Sequence, residues 1–447
     1  MTDNINISID TEARDLRYAE RLAEMIKCKT VSKKDGFEAS EFMKLRQVIE
    51  TLFPLVTKSA ELKIFGDDAY LYKLRGADES RSVMLMSHHD VVAAEDGWQA
   101  EPFGGIIKDG RLWGRGTVDT KTPLFAEITA LEELLEAGFA FPVNICLFSS
   151  HNEETGGDGA PLALRYFEEN GLRFDWIIDE GGAVIDPPMA GISKKCAMMA
   201  VHEKGRCTVQ LIAKKLPGHA GLEGGHKAPV MRMVEFMAEA DEKKPYIRRL
   251  HPELRGMFEA MAPYMSFPMR FVFSNLGLFS PLLIRLIPKL NAAAGEMLGT
   301  GCTFRKLSTD EDGSCRGEAF LRCINDEDLC KDIEALRALA ARHEVELTLR
   351  GEDNEYYRPT SLDSPGYRYI KKTVQESFPY AAAVPFSLPA GTDARQFTGL
   401  SDAVLRFAPI DIDKQQYASV HNDNENISVD KLHLAVDFYK SLLRNYK

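Results

Sequence analysis

The sequence predicts an α/β fold: a mainly parallel sheet with helices on both faces, into which a second, smaller α+β unit is inserted. Three observations predict it. Up to about residue 180, short apolar runs alternate with segments of helical periodicity, as strand–helix units feeding a covered sheet do. After about residue 190 the texture shifts to half-exposed alternation and strand–helix–strand units. Beyond about residue 360 the first texture returns. At 447 residues the chain is also too long for one ordinary core. The expected division puts 1–195 and 351–447 in the larger domain and 196–350 in the smaller one.

The elements follow in order. Leu16, Tyr18, Ala19, Leu22, Met25 and Ile26 recur at helical spacing, so Asp15 to Cys28 is a helix, closed by the polar turn Thr30-Val31-Ser32. Glu41 to Leu55 is a second helix, stopped near Pro54. Leu62–Phe65 and Ala69–Leu74 are strands, with Gly66-Asp67-Asp68 as the hairpin turn between them. Val83–Met86 is wholly apolar and suits a central strand. Thr122 to Ala137 carries Leu124, Ile128, Leu131, Leu134 and Leu135 on one stripe, with Gly138 placed to end the helix. Val143–Phe148 is the next strand, Pro161–Asn170 a helix, and Trp176–Ile178 a strand. In the smaller unit, Cys207–Ala213, Glu318–Ile324 and Val345–Arg350 are strands; Val230–Asp241 and Asp326–His343 are helices. The chain returns with the helix Tyr367–Phe378, the loop Gly391-Thr392-Asp393, the strand Ala403–Ala408 and the helix Val429–Tyr446.

Apolar content of 45% and charged content of 27% are those of an ordinary globular protein. A net charge of -12 argues against nucleic acid or anionic membrane as the main partner. Eight cysteines without a C-x-x-C pair read as reduced, partly buried small residues. The first residues lack the basic start and apolar core of a signal peptide, so the cytoplasm is the expected location. Phe271 to Leu298 is apolar-rich, but Asn275, Arg285, Pro288, Lys289 and Asn291 interrupt it, and it falls short of a spanning helix. It reads as a buried or interfacial helix pair, or as an apolar wall for a greasy substrate group.

Five positions carry the chemistry: His88 in S-H-H-D-V-V, Asp119 in G-R-G-T-V-D-T-K, Glu154 in N-E-E-T-G-G, Asp179 in I-I-D-E-G-G and His421 in S-V-H-N. Four of them follow an apolar run or a Gly-rich turn, where open α/β sheets place their sites. Two imidazoles and three carboxylates are a ligand set that suits zinc. Asp90, two residues past His88, points the same way and can hold the second ring nitrogen. Glu153 and Glu154 repel one another unless a cation lies between them; with Glu154 on a metal, Glu153 can face the attacking water as general base. Taken singly, Asp119 also reads as a helix N-cap, Lys121 as a solvated first-turn lysine, and His421 as a surface histidine. Either Asp179 or Glu180 can be the ligand.

The segments S-H-H-D-V-V, W-x-x-x-P-F-G-G-I-I-K-D-G-R-L-W-G-R-G-T-V-D-T-K and N-E-E-T-G-G-D-G-A closely resemble the di-zinc peptidase and amidohydrolase family. That family includes acetylornithine deacetylase, succinyl-diaminopimelate desuccinylase, aminoacylase and carboxypeptidases G and S. D-E-G-G, E-K-G, P-G-H-A, G-T-D-A-R and V-H-N-x-N-E match further along, and W-x-x-x-P-F with D-E-G-G is most similar to the carboxypeptidase S branch. The resemblance implies a phosphorylase/hydrolase-like domain with an inserted ferredoxin-like lid. It implies two zinc ions, with cobalt or manganese as substitutes, bridged by Asp119. His88 and Asp179 would complete one site, and Glu154 and His421 the other. Asp90 would orient His88, Glu153 would be the base, and His219 of P-G-H-A would hold the oxyanion. The Asp119–Thr120 bond would be cis. Arg322, Gly391, Thr392 and Asp393 would meet a substrate carboxylate. The expected substrate is a dipeptide, a short peptide or an N-acyl amino acid, cut at an amide bond next to a free carboxylate, in a homodimer formed through the lid. Two departures stand out: no N-x-I-P segment precedes the last lid strand, where Cys302-Thr303-Phe304 stands, and the R-T-T threonines of the carboxypeptidase S branch are blurred. An idle binding scaffold is the rival from another class.

Overall fold

The computed structural model describes residues 2–34, 36–215, 228–290, 295–350 and 357–447. Ten strands make the large sheet. Its middle is parallel: Val404–Arg406, Ile177–Asp179, Asp78–His88 and Val143–Ser150 lie side by side and run one way. Its flanks are antiparallel, at Ala69–Leu74 with Glu61–Phe65 on one side and at Lys195–Glu203 with Val184–Ile185 on the other. Alternation along the central strands feeds two cores. Val83, Leu85, Ile145 and Leu147 face the helices Thr2–Ile26, Lys121–Glu136 and Leu432–Arg444, while Met84, Met86, Cys146 and Phe148 face Gly159–Glu169.

Several strands escaped the sequence reading, two long ones of the large sheet among them. Lys195–Glu203 and Ala381–Leu388 pair in parallel, yet the second begins with three alanines. Alanine has little β preference, so their strand state comes from the pairing itself. The helix expected to stop near Pro54 ends at Leu52, and Pro54 opens a new one, Pro54–Ser59, at a position where the missing N–H costs nothing.

The chain changes sheets at Lys204. Gly205–Ala213, Gly301–Thr309, Cys315–Cys323 and Glu346–Leu349 form a separate antiparallel sheet. The helices Pro229–Lys243 and Asp326–Arg342 pack against it through Met233, Phe236, Ala240, Ile333, Leu336 and Leu339. Strand–helix–strand–strand–helix–strand is the ferredoxin-like order. Between its first helix and second strand lie Pro252–Met261, Phe267–Phe273 and Leu276–Leu290, which pack on the large sheet through Leu254, Phe258, Met198 and Val384. No single helix among the described residues is long and apolar enough to cross a membrane. The eight cysteines are unpaired.

A third, three-stranded sheet matters for the site. Asn426–Ser428 pairs with Arg111–Trp113, which pairs with Ile106–Lys108. Asn426 lies opposite Trp113, so the loops that carry Asp119 and His421 leave this sheet side by side, although some 300 residues separate them in sequence.

Candidate metal centre

His88 ends its strand, and its Nε2 lies 3.0 Å from Asp119 Oδ1. Its Nδ1 is 3.0 Å from the Asp90 carbonyl oxygen and 3.3 Å from Asp90 Oδ1. A proton on Nδ1 therefore leaves the Nε2 lone pair turned towards Asp119. Asp90 is wholly buried and does more than hold this imidazole. Its oxygens accept the amides of Glu153 and Glu154 at 3.2 Å each and the Ser32 hydroxyl at 2.5 Å. One carboxylate thus sets both the histidine and the glutamate pair.

Asp119 sits on a cis peptide bond to Thr120. Its second oxygen, Oδ2, is 3.0 Å from His421 Nε2, and that nitrogen is 3.0 Å from Glu154 Oε2. His421 reaches in from a backbone with φ of 59°. Each oxygen of Asp119 therefore faces a different imidazole, the arrangement of a bridging carboxylate. Tetrahedral zinc with bonds of about 2.0–2.1 Å spaces its ligand atoms about 3.3 Å apart, so these separations fit. Glu154 Oε1 is buried without a hydrogen-bond partner, an acceptor suited to a cation.

The electrostatics agree. Hydrogen bonds to Asp119 and Glu154 push His421 up to about 10. Burial works against protonation of His88, but Asp119 and Asp90 outweigh it and hold it well above the ordinary imidazole range. Burial, with Asp393, Asp90 and Asp119 close by, holds Glu153 well above the carboxylate range, while His88 pulls it down. Burial with Asp119 and Asp179 does the same to Glu180. Protons and a divalent cation compete for these donors, so metal binding here releases protons.

Asp179 ends the strand beside that of His88. Its oxygens accept the backbone amides of Glu180 at 2.9 Å and Ala394 at 3.0 Å. Burial and Asp393 raise it to about 6, with Arg406 opposing. Glu180 also feels the charges of His88 and Glu153.

Two readings of single residues are corrected. Lys121 is not solvated: it is fully buried, and its Nζ donates to the carbonyls of Met25 at 3.2 Å and Cys28 at 2.6 Å. Burial lowers it to about 8. It ties the first helix to the start of the helix behind Asp119. Asp119 is not the N-cap of that helix; Thr120 holds the cap position and makes no side-chain cap bond. His421 is half-exposed but is anchored to two carboxylates.

Glu425 was part of a recognised motif but received no role. It is wholly buried. Its Oε2 accepts from Arg115 Nη1 at 2.8 Å and Gly116 N at 3.0 Å, and its Oε1 from Val118 N at 2.7 Å and Asp119 N at 3.0 Å. This carboxylate grips the whole turn that presents Asp119. In sequence it is the last residue of V-H-N-x-N-E, but nothing there shows that it is buried or what it grips.

Arg322 lies on the Cys315–Cys323 strand, and its Nη1 donates to the Pro389 carbonyl. Burial, with Arg305, Arg206 and Arg395 nearby, holds it below the ordinary guanidinium value. A Cβ on Gly391 would come within 2.7 Å of Arg395 Nη1, the movable end of a long side chain. The Thr392 amide and hydroxyl donate to buried Glu203 at 2.9 and 2.8 Å, and Glu203 also accepts from Arg406. Asp393 is buried, with Oδ2 unpartnered, and burial raises its pKa. His219 lies outside the described residues.

Imidazoles and carboxylates gathered at the carboxyl edge of a parallel sheet, around a shared aspartate, mark a metallohydrolase. The chain belongs to peptidase family M20/M25/M40, whose model matches residues 84–445. It is 28% identical to a probable carboxypeptidase S-like 2 of Dictyostelium discoideum, across 97% of this chain and 86% of that one. It is also 28% identical to the N-fatty-acyl-amino acid synthase/hydrolase PM20D1 of Homo sapiens, across 89% and 81%. Among solved structures, the fold is similar to the M20 metallo-carboxypeptidase Sso-CP2 of Sulfolobus solfataricus (TM-score 0.65, 16% identity, 96% and 98% covered). It is similar too to the Bacillus subtilis YXEP protein, a dinuclear metal-binding peptidase (TM-score 0.59, 10% identity, 96% and 99% covered).

Proposed function

We propose that this enzyme hydrolyses an amide bond next to a free carboxylate, in a dipeptide or short peptide, with two zinc ions. The observation that carries the reading is Asp119, whose two oxygens each face one imidazole, with Glu153 beside them. His421 and Glu154 would hold one ion. His88 would hold the other, with Asp179 or Glu180 as the fifth ligand: both follow the same strand end, and the amides of Glu180 and Ala394 orient the Asp179 carboxylate while leaving it lone pairs for a cation. Bound there, a dication pair polarises the amide carbonyl and acidifies water. Glu153 takes the proton from the attacking water and delivers it to the leaving nitrogen. Asp90 fixes Glu153 through its amide. Arg322, in the company of Arg206, Arg305 and Arg395, is the natural seat for the substrate carboxylate. His219, by its P-G-H-A motif, would stabilise the oxyanion. Residues 196–350 would act as the lid and as the surface of a homodimer.

N-acyl amino acids are the second reading, favoured by a relative named as an N-fatty-acyl-amino acid synthase/hydrolase. The deciding experiment pairs metal content per chain with rates on a panel of dipeptides and N-acyl amino acids. About two zinc per chain and chelator-sensitive cleavage support the proposal, and the faster class names the substrate. No metal and no cleavage after adding zinc, cobalt or manganese would return the chain to an idle scaffold.

A further inference from the structure

The helices Phe267–Phe273 and Leu276–Leu290 meet at 105°, and one side of the pair is bare. Phe267 and Phe271, four apart on the first, are 81% and 54% exposed. Leu278 and Leu282, four apart on the second, are 74% and 51% exposed. Phe271 and Phe279 touch ring to ring across the bend and join the two stripes. The opposite side, with Phe273, Leu276 and Leu283, is buried in the cluster that holds Leu254, Phe258, Met198 and Val384. An apolar stripe of this kind, continuous over two helices, is more than scattered surface leucines.

Charge says what covers it. Between Glu259 and Glu296 the chain has no acidic residue, but it has Arg270, Arg285 and Lys289. All three are exposed, and none is ion-paired to a described residue. In a chain of net charge -12, this is a local cationic rim around an apolar face. The expectation drawn from net charge speaks for the whole surface and not for this patch. An apolar stripe on a segment that carries three exposed cations and no acid matches a helix lying in the plane of an anionic lipid surface.

We propose that this bent helix pair docks the enzyme onto anionic lipid bilayers, with Phe267, Phe271, Leu278 and Leu282 in the acyl boundary and the three cations among the headgroups. Because Phe273, Leu276 and Leu283 are buried in the protein, the pair can offer a bilayer only its other face. The proposal does not depend on which amide the enzyme cuts.

The test is co-sedimentation of the full chain with phosphatidylcholine vesicles and with vesicles of phosphatidylcholine and phosphatidylglycerol. Salt-sensitive binding to the anionic vesicles is expected. Replacing Arg270, Arg285 and Lys289 by Gln removes about fivefold each, on the order of a hundredfold together. A Phe271→Ser/Leu278→Ser variant abolishes binding while far-ultraviolet circular dichroism and the unfolding midpoint stay unchanged. Failure to bind either vesicle overturns the proposal, as does binding that survives both variants. A dimer that Phe271→Ser/Leu278→Ser converts to monomer, without vesicle binding by the parent, would assign the face to a second copy instead.

Discussion

Glu425→Gln tests how the site is held. The substitution keeps the volume but replaces a four-acceptor carboxylate by an amide with one acceptor oxygen. Four donors now converge on Glu425, at 2.7–3.0 Å, and one of them is the guanidinium of Arg115, itself 2% exposed. Glutamine leaves about two of these donors unmatched and Arg115 buried without its counter-charge. Unmatched buried donors cost about 1–3 kcal/mol each, and breaking a buried ion pair costs about 3–5 kcal/mol. The two overlap, so a loss of about 3–5 kcal/mol in unfolding free energy is expected, against a total of about 5–15 kcal/mol. Because Glu425 also holds the Asp119 amide, metal affinity should fall by about 10–100-fold. Urea unfolding and chelator competition measure the two effects. Adding Arg115→Met should recover part of the stability by removing the unpaired cation. Unfolding within about 0.5 kcal/mol of the parent, with metal retention unchanged, would show that Glu425 is not the clamp described.

Three further outcomes are expected. Glu153→Gln should keep its metal by elemental analysis and lose about 10²–10⁴ in kcat; unchanged turnover would remove Glu153 from the reaction. Gly182→Ala places a methyl 2.0 Å from the Met198 carbonyl oxygen and 2.8 Å from that of Arg406, so the neighbouring strands must move; a lowered melting temperature and at least about 1–3 kcal/mol lost are expected. His202 and His251 are lowered by burial to about 3 and 4 from 6.5. Both bind protons more tightly when unfolded, so their contribution is fully present above about pH 6.5 and is lost as pH falls towards 4, with a slope of about 2.7 kcal/mol per pH unit for the pair. Urea unfolding at several pH values, with His202→Gln and His251→Gln together, should flatten that slope; a slope unaltered by both changes would refute the assignment.

The parallel centre of the sheet was legible because its strands are buried on both faces. Val83–Met86 and Val143–Phe148 are unbroken apolar runs, and no helix of that length could carry them. The helix Lys121–Glu136 and the hairpin of Leu62–Phe65 with Ala69–Leu74 were legible from period and turn chemistry. Ligand chemistry was legible too, since His88, Asp119, Glu154 and His421 sit in short motifs whose residue types suit a cation. What those motifs do not carry is direction. The orientation of the Asp179 carboxylate depends on the amide of Ala394, more than two hundred residues away. The burial of Lys121 depends on the carbonyls that end the first helix, and the grip of Glu425 on Asp119 depends on a strand pair closed across some 300 residues. Periodicity and residue type are local quantities and can be read along the chain. Desolvation and hydrogen-bond partnership are set by groups that only folding brings within 3 Å, and these decided that Lys121 and Glu425 hold the frame while His88, Asp119, Glu154 and His421 meet.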